Sequence, residues 1–586
     1  MSKKPRDPSP TDPAAGSDGA AAIAPSRRAF LKTGAVGLGG LAVGIGATAA
    51  ATAAGDAGPA TSFTPLEPRG EPGFDHVVAI MFENRSFDNI LGYLYAADEL
   101  PSGVTFDGLA QGNYSNTAPD GTTVETHVYA GSTDLVMSQP QPDPGEAYPH
   151  VNTQLFNTVD PDSNERLYEN QLAAPYNAPT KGSSPDMSGF VRDYIINYRE
   201  LKKGVEPTLD EYRAIMGSFS PEMLPVFSTL AKNFAVYDAW FCGVPSQTFT
   251  NRSFFHASTS HGFVTNIEGG GYAKWLDAPA TPTIFNRLEE AGLTWRVYYD
   301  IGQMVSLTGI LHANSLEKFW KTNFRSMEQF YDDVSTGNLP DYAFVEPRMI
   351  FNHNDMHPPF GAFRESEFEG QPVYDNAVSD VRAGEALLHS VYSAIRDSQS
   401  QSGSNAANTA LLITFDEHGG TYDHVPPPSA VPPTRDGAAG EMGFAFDRLG
   451  CRVPAILVSA YTQGGSIIHD EMHHGSLIAT LNRLHGLEPL TRRDATANTV
   501  FNAVNLSVPR QPYEWPTTHP QYTPPNPESV PAPHEEHKHH PLTPPAQGLL
   551  GLLLARYEPG APQPKTYGEA YDTLVKHGRG LFGDRD

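Results

Sequence analysis

The chain has 586 residues and a formal net charge of −27, from 40 Lys and Arg against 67 Asp and Glu. That length fits several domains or one large α/β domain with insertions, and the acidic excess argues against nucleic acid or an anionic membrane as an electrostatic partner. Two cysteines, Cys242 and Cys451, exclude a disulfide framework and read as small buried hydrophobes.

From the N-terminus, Ser26-Arg27-Arg28-Ala29-Phe30-Leu31-Lys32 precedes a Gly/Ala-rich, mildly apolar stretch from Gly34 to Ala54. An Arg pair ahead of a weakly hydrophobic region reads as a twin-arginine (Tat) export signal over residues 1–54, with cleavage near Ala54. The Tat machinery is then an expected partner, and the mature protein is expected in the periplasm or outside the cell. So many small residues make a poor membrane anchor, and Gln547–Ala555 is too short to span a bilayer, so no integral anchor is expected.

Residues 55–70 read as a Pro/Gly linker, and 71–500 as a catalytic domain that alternates strand-like and helix-like pieces. Apolar runs bounded by polar breaks predict strands at Asp75–Phe82, Phe234–Phe241, Thr294–Tyr299, Tyr342–Val345, Ala410–Phe415 and Val453–Ser459. Helical spacing predicts helices at Thr283–Ala291, Ser326–Ser335, Ser379–Asp397 and Gly475–Leu487. The alternation implies an α/β fold with a largely parallel sheet covered on both faces. Residues 100–225, rich in Gly, Pro, Asn and Asp, read as a large insertion that shapes a pocket. The tail, 501–586, is Pro-rich and carries His534-Glu535-Glu536-His537-Lys538-His539-His540, which reads as a solvated linker rather than a metal site, before short amphipathic helices at Gln547–Arg556 and Thr566–Gly580.

Two strand ends carry the chemistry. The run His76–Phe82 stops at Glu83-Asn84-Arg85-Ser86, and Leu411–Phe415 stops at Asp416-Glu417-His418-Gly419-Gly420. Open α/β sheets place ligands just past the carboxyl ends of their strands. A carboxylate and an amide at one end, and two carboxylates at the other, suit a shared divalent cation, since like charges so close need a cation or a proton to coexist. An oxygen-rich set fits Mg, Mn or Ca, whereas nearby histidines favour Zn or Fe, and the identity stays open. Other signatures fail. There is no G-x-S-x-G elbow, no Walker A loop and no dinucleotide Gly fingerprint, and His469-Asp470-Glu471-Met472-His473 misplaces the Glu of a zincin helix.

ENRSFDN (83–89) and FDEHGGTYDHVPPP (415–428) resemble the bacterial phosphoesterase family of nonhaemolytic-type phospholipases C and related acid phosphatases. DPGEAYPHVNTQLF (143–156), CGVPSQTFTNR (242–252), DMHPP (355–359), SDVRAGEALL (379–388), LGCRVPAILVSAY (449–461) and HHGSLIATLNR (473–483) follow in the family's order. The resemblance implies a core like that of alkaline phosphatases and sulfatases, and metal ligands Glu83, Asn84, Asp416 and Glu417. It places the nucleophile at Thr248, with Ser246 as the rival. A hydroxyl at the opening of a helix also suits a phosphate, because unpaired backbone N–H groups gather there. Arg252 and Asn251 are expected to steady the phosphoryl oxygens, and His357 or His474 to protonate the departing alcohol. His150 and His424 are weaker candidates. The family often has a His after DPG where this chain has Glu146, which leaves that donor open, with His150 as a substitute.

The expected function is a metal-dependent phosphoester hydrolase of phospholipase C type, acting on a phospholipid or another phosphoester through a phosphothreonine intermediate. Its alternatives are an acid phosphatase acting on monoesters and a non-catalytic binding protein on the same fold.

Overall fold

The central strands of one eight-stranded sheet are apolar runs buried on both faces. The strands are β1 (His76–Phe82), β2 (Ala235–Tyr237), β3 (Trp295–Tyr299), β4 (Phe324–Ser326), β5 (Tyr342–Glu346), β6 (Thr409–Phe415), β7 (Ala455–Val458) and β8 (Ser466–Ile468). They lie side by side in the order β8-β2-β7-β6-β1-β5-β3-β4. All neighbours pair parallel except β7, which runs against both β6 and β2. The computed structural model describes residues 64–583 apart from 101–102, 132–133, 161–173, 203, 268, 360–364, 369–370, 375–379, 435–437 and 522–537. The Tat segment and His534–His537 lie outside the described residues.

β1 and β6 occupy the middle of the sheet, and every residue from Val77 to Phe82 and from Thr409 to Phe415 is buried. Helices cover them, so these strands read as continuous apolar runs rather than alternating ones. The helices that matter here are α1 (Phe87–Leu91), α2 (Tyr148–Phe156), α3 (Phe190–Leu201), α4 (Pro225–Asn233), α5 (Thr248–Ala257), α6 (Val381–Asp397), α7 (Gly475–His485), α8 (Pro544–Tyr557) and α9 (Tyr567–His577). The expected helices at 284–290 and 327–336 form too.

The insertion is more ordered than its composition suggests. α2 and α3 pack on one another and, with Tyr212, Ile215 and Met216, build a small core of their own that reaches Tyr422 and Cys451. In the tail, α8 is not amphipathic. Leu549, Leu550, Leu552 and Leu553 point in successive directions yet all join the main core, which is the pattern of a helix buried all round. Both cysteines are free and buried. Among the described residues, no helix is long and apolar enough to cross a membrane.

α6 meets α4 through a buried carboxyl. Glu385 is fully buried and accepts hydrogen bonds from the Val226 and Phe227 amides, 3.0 and 2.7 Å away, at the first turn of α4. Burial pushes its carboxyl up to about 8. A folded-state value raised above the unfolded one contributes stability below the unfolded value, lost as pH rises through the folded value. The denaturation midpoint is therefore expected to fall as pH rises from 5 to 9, by at most roughly 1.4 kcal/mol per pH unit from this group. Glu385→Gln should flatten that slope in urea titrations at several pH values, and an unchanged slope would assign it elsewhere.

Candidate active site

The register Phe82↔Phe415 between parallel neighbours brings Glu83-Asn84 and Asp416-Glu417 out of the sheet at the same level. Asn84 turns the chain with φ of 56°, a left-handed conformation that Asn tolerates better than most residues. Its amide N–H donates to Asp416 Oδ1 at 3.1 Å, and the Glu417 N–H donates to the same oxygen at 2.7 Å. Gly419 and Gly420 follow with φ of +59° and +68°. A Cβ on Gly419 would lie 2.2 Å from the Asn84 carbonyl oxygen, and one on Gly420 2.4 Å from that of Gly145. The glycine pair is what allows the two strand ends and the 143–146 loop to meet.

The loop from Cys242 to Gln247 feeds α5, whose first residue is the buried Thr248. One turn later, Arg252 donates from Nε to Glu83 Oε1 at 2.8 Å and from Nη2 to the same oxygen at 2.5 Å; Nε also reaches Asp416 Oδ2 at 3.2 Å. Residues four apart share a helix face, so Thr248 and Arg252 lie on the same side of α5. Of the two hydroxyls, Ser246 spends its own on the Val264 carbonyl.

Asn251 departs from expectation. Its Oδ1 accepts from the Val244 amide at 3.0 Å, and its Nδ2 donates to the Ser246 and Val244 carbonyls at 2.6 and 3.2 Å. Its amide is committed to bracing the loop.

The two expected proton donors are each bound to a backbone carbonyl. His357 donates from Nδ1 to the Pro358 carbonyl at 2.6 Å, so Nε2 carries a lone pair, 3.0 Å from Asn84 Nδ2. His474 donates from Nε2 to the Asp416 carbonyl at 2.5 Å. Burial depresses both rings to about 4, so each is neutral near pH 7 with its one N–H committed to a carbonyl. His150 sits against Asp193, 2.8 Å away on α3, and His424 pairs with Asp88 and Asp107.

Residues 74–488 match the model of the phosphoesterase family. The chain belongs to the phosphoesterase family. It is thus an enzyme, a hydrolase of phosphoric esters. Non-specific phospholipase C1 of Arabidopsis thaliana is 31% identical over 440 residues, covering 72% of this chain and 69% of that protein. Phospholipase C B of Mycobacterium tuberculosis strain H37Rv is 26% identical over 486 residues, covering 76% and 80%. Among solved structures, a protein of the alkaline phosphatase superfamily from Vibrio parahaemolyticus aligns at 12% identity and a TM-score of 0.29, over 49% of this chain and 66% of that one.

In this phosphoesterase the donor set fits a cation. Among the described residues, Glu83 Oε2, Asn84 Oδ1 and Glu417 Oε1 are buried oxygens with no hydrogen-bond partner. A buried oxygen left so costs about 1–3 kcal/mol, and more if charged. Three such lone pairs on three of the four expected ligands are the chemistry a hard cation satisfies. The fourth ligand, Asp416, is held by two backbone amides and Arg252. Burial lifts Glu417 to about 8, and burial together with the neighbouring Asp416 charge lifts Glu83 well above the carboxylate range.

Three further carboxylates belong to this cluster. Asp355 accepts the Glu83 amide on its carbonyl at 2.8 Å, and its side chain meets His353 at 3.1 Å. Asp143 and Glu146 come from the loop ahead of α2, and with His357 they offer ligand atoms within 4.8 Å of one another. The motifs DPGEAYPH and DMHPP marked these segments in sequence, but the motifs pointed to the histidines, not the acids.

Proposed function

We propose that this phosphoesterase is an exported, metal-dependent hydrolase of phospholipase C type. The observation that carries the reading is the trio of unpartnered buried oxygens on Glu83, Asn84 and Glu417, beside the helix that begins at Thr248. Glu83, Asn84, Asp416 and Glu417 would hold one divalent cation. When bound, it supplies positive charge that favours an alkoxide on the nucleophile and offsets charge on the phosphoryl oxygens. Thr248 Oγ gives up its proton to water and attacks phosphorus. The P–O bond to the alcohol breaks and that oxygen takes a proton from water, and a second water then cleaves the Thr248–phosphorus bond and restores the hydroxyl. The first turn of α5 would offer backbone N–H groups to phosphoryl oxygens, apart from that of Phe249, which donates to Asn266 Oδ1 at 3.1 Å. Arg252 holds Glu83 and Asp416 in place, and its Nη1, buried without a partner among the described residues, is the donor left for the phosphoryl group. Relatives named phospholipases C support a phospholipid diester as substrate. Arg27-Arg28 and the Gly/Ala-rich stretch behind them support export by the Tat machinery to the periplasm or beyond.

The test compares purified protein on phosphatidylcholine, a chromogenic phosphodiester and the matching monoester, with and without chelator. Diesters are expected to be preferred, with turnover lost in chelator and regained on adding back a divalent cation. Preference for the monoester would make the enzyme a phosphatase. Full activity in chelator, with no metal by elemental analysis, would remove the cation from the mechanism.

A further inference from the structure

A carboxamide has two unlike ends, and only its oxygen can ligate a hard cation. A buried Asn that serves as a ligand must therefore be held against rotation of its amide by 180°. Asn84 is placed this way. Its Oδ1 has no partner among the described residues, while its Nδ2 meets both a Glu146 carboxylate oxygen and His357 Nε2. The Pro358 carbonyl fixes His357 Nδ1 as a donor, so Nε2 can only accept in the neutral ring. Turning the amide over would press Oδ1 against two acceptors and discard two hydrogen bonds. The other Glu146 oxygen accepts from Gln247 Nε2 at 3.3 Å, and Gln247 immediately precedes Thr248. Gln247 Oε1 is in turn fixed by the Asn266 amide at 2.9 Å.

We propose that Glu146 is a positioning residue: it turns the Asn84 oxygen toward the cation and ties that ligand to the residue preceding the nucleophile. This rests on the assignment of Asn84 as a cation ligand made above. The side-chain type matters. A neutral imidazole at this position has a single lone pair and can accept from one partner, whereas a carboxylate accepts from Asn84 and Gln247 at once. The rival use of the same atoms is a second cation held by Asp143, Glu146 and His357. The bonds argue against it, because the one lone pair of His357 and the near oxygen of Glu146 are already taken by the Asn84 amide.

The experiment is calorimetric titration of the chelator-stripped full chain with Mn²⁺, with the loaded metal counted by elemental analysis and kcat and KM measured on the preferred ester. Glu146→Ala is expected to weaken Mn²⁺ binding about 10–100-fold, the usual effect of removing a group that orients a ligand. Glu146→Gln, which keeps an oxygen to face Asn84, should recover most of that affinity. In an Asn84→Ala background, Glu146→Ala should add almost nothing, since the two act as a unit. The loss in activity of Glu146→Ala should fall on kcat and be partly recovered at high Mn²⁺.

Native Mn²⁺ affinity in Glu146→Ala, or additive losses in the double variant, would overturn the proposal while leaving the cation assignment intact. A fall from two bound metals to one would assign Glu146 to a second cation. If Asn84→Ala and Asp416→Asn both bind Mn²⁺ like the native protein, the cation assignment itself fails. Near-UV circular dichroism identifies a misfolded Glu146→Ala, and Glu146→Gln and Glu146→His then carry the test: Gln should bind like native, and His about tenfold more weakly.

Discussion

Thr248→Ala is expected to lower kcat on the preferred phosphoester by about 10⁴–10⁶, the range seen when a nucleophile is removed and the rest of the site is kept. The structure allows this to be read as chemistry. Thr248 opens α5 without capping it, the N-cap position being Gln247, so no cap is lost. Ala is the better helix former, so the helix itself is not weakened. The four proposed ligands and Arg252 are untouched, and Mn²⁺ affinity should stay within a few fold of native. Thr248→Ser keeps the hydroxyl at the helix opening and should retain measurable turnover. Rapid-quench trapping of labelled phosphate on the native chain, and its loss in Thr248→Ala, checks the intermediate directly. Turnover of Thr248→Ala within tenfold of native would place the nucleophile elsewhere, despite the Ser246 hydroxyl being committed to Val264.

The centre of this fold was readable because its strands are buried on both faces. β1, β3, β5 and β6 appear as apolar runs with ends within about a residue of those expected. Edges were not readable: β4 and β8 have three residues each, too few for a pattern. Phe234–Phe241 reads as one strand, but Asp238 breaks it, using its carboxylate on the Asp107 amide and the His469 ring. The reversed direction of β7 leaves no trace in composition, since a fully buried strand looks alike either way. α8 was misjudged because a helix buried all round has no polar face to detect. In the site, the acids at the strand ends stood out against apolar lead-ins, and the structure does gather them. The roles of Asn251, His357 and His474 were not legible, because each depends on which backbone carbonyl or amide lies within reach. Glu146 was visible only as a departure from the family pattern; its partners, Asn84 and Gln247, lie 62 and 101 residues away.

Arg452→Ala is expected to destabilise the protein by about 3–5 kcal/mol, the usual cost of stranding a buried charge by removing its partner. Arg452 is fully buried. It donates to Asp88 Oδ1 at 3.0 Å and to Asp423 Oδ1 at 2.9 Å, and to the carbonyls of Asp107 and Asp238 at 2.8 and 2.7 Å. Asp88 lies in α1, just past Glu83-Asn84, and Asp423 lies just past Asp416-Glu417, so one guanidinium joins the two segments that carry the proposed ligands. Its own carbonyl accepts from the Phe87 amide at 3.1 Å, which fastens α1 to the same point. Asp88, Asp423 and His424 offer ligand atoms close enough for a metal, yet the guanidinium already supplies the positive charge there. Arg452→Lys should rescue little, since one ammonium cannot reproduce a planar fork bonded to four groups. Because both ligand-bearing loops lose a shared anchor, the variant should also bind Mn²⁺ more weakly than native under conditions where it remains folded. Urea unfolding and calorimetry on the same sample separate the two effects. A stability loss below about 1 kcal/mol, the level of an exposed ion pair, would mean that Arg452 does not hold these loops together.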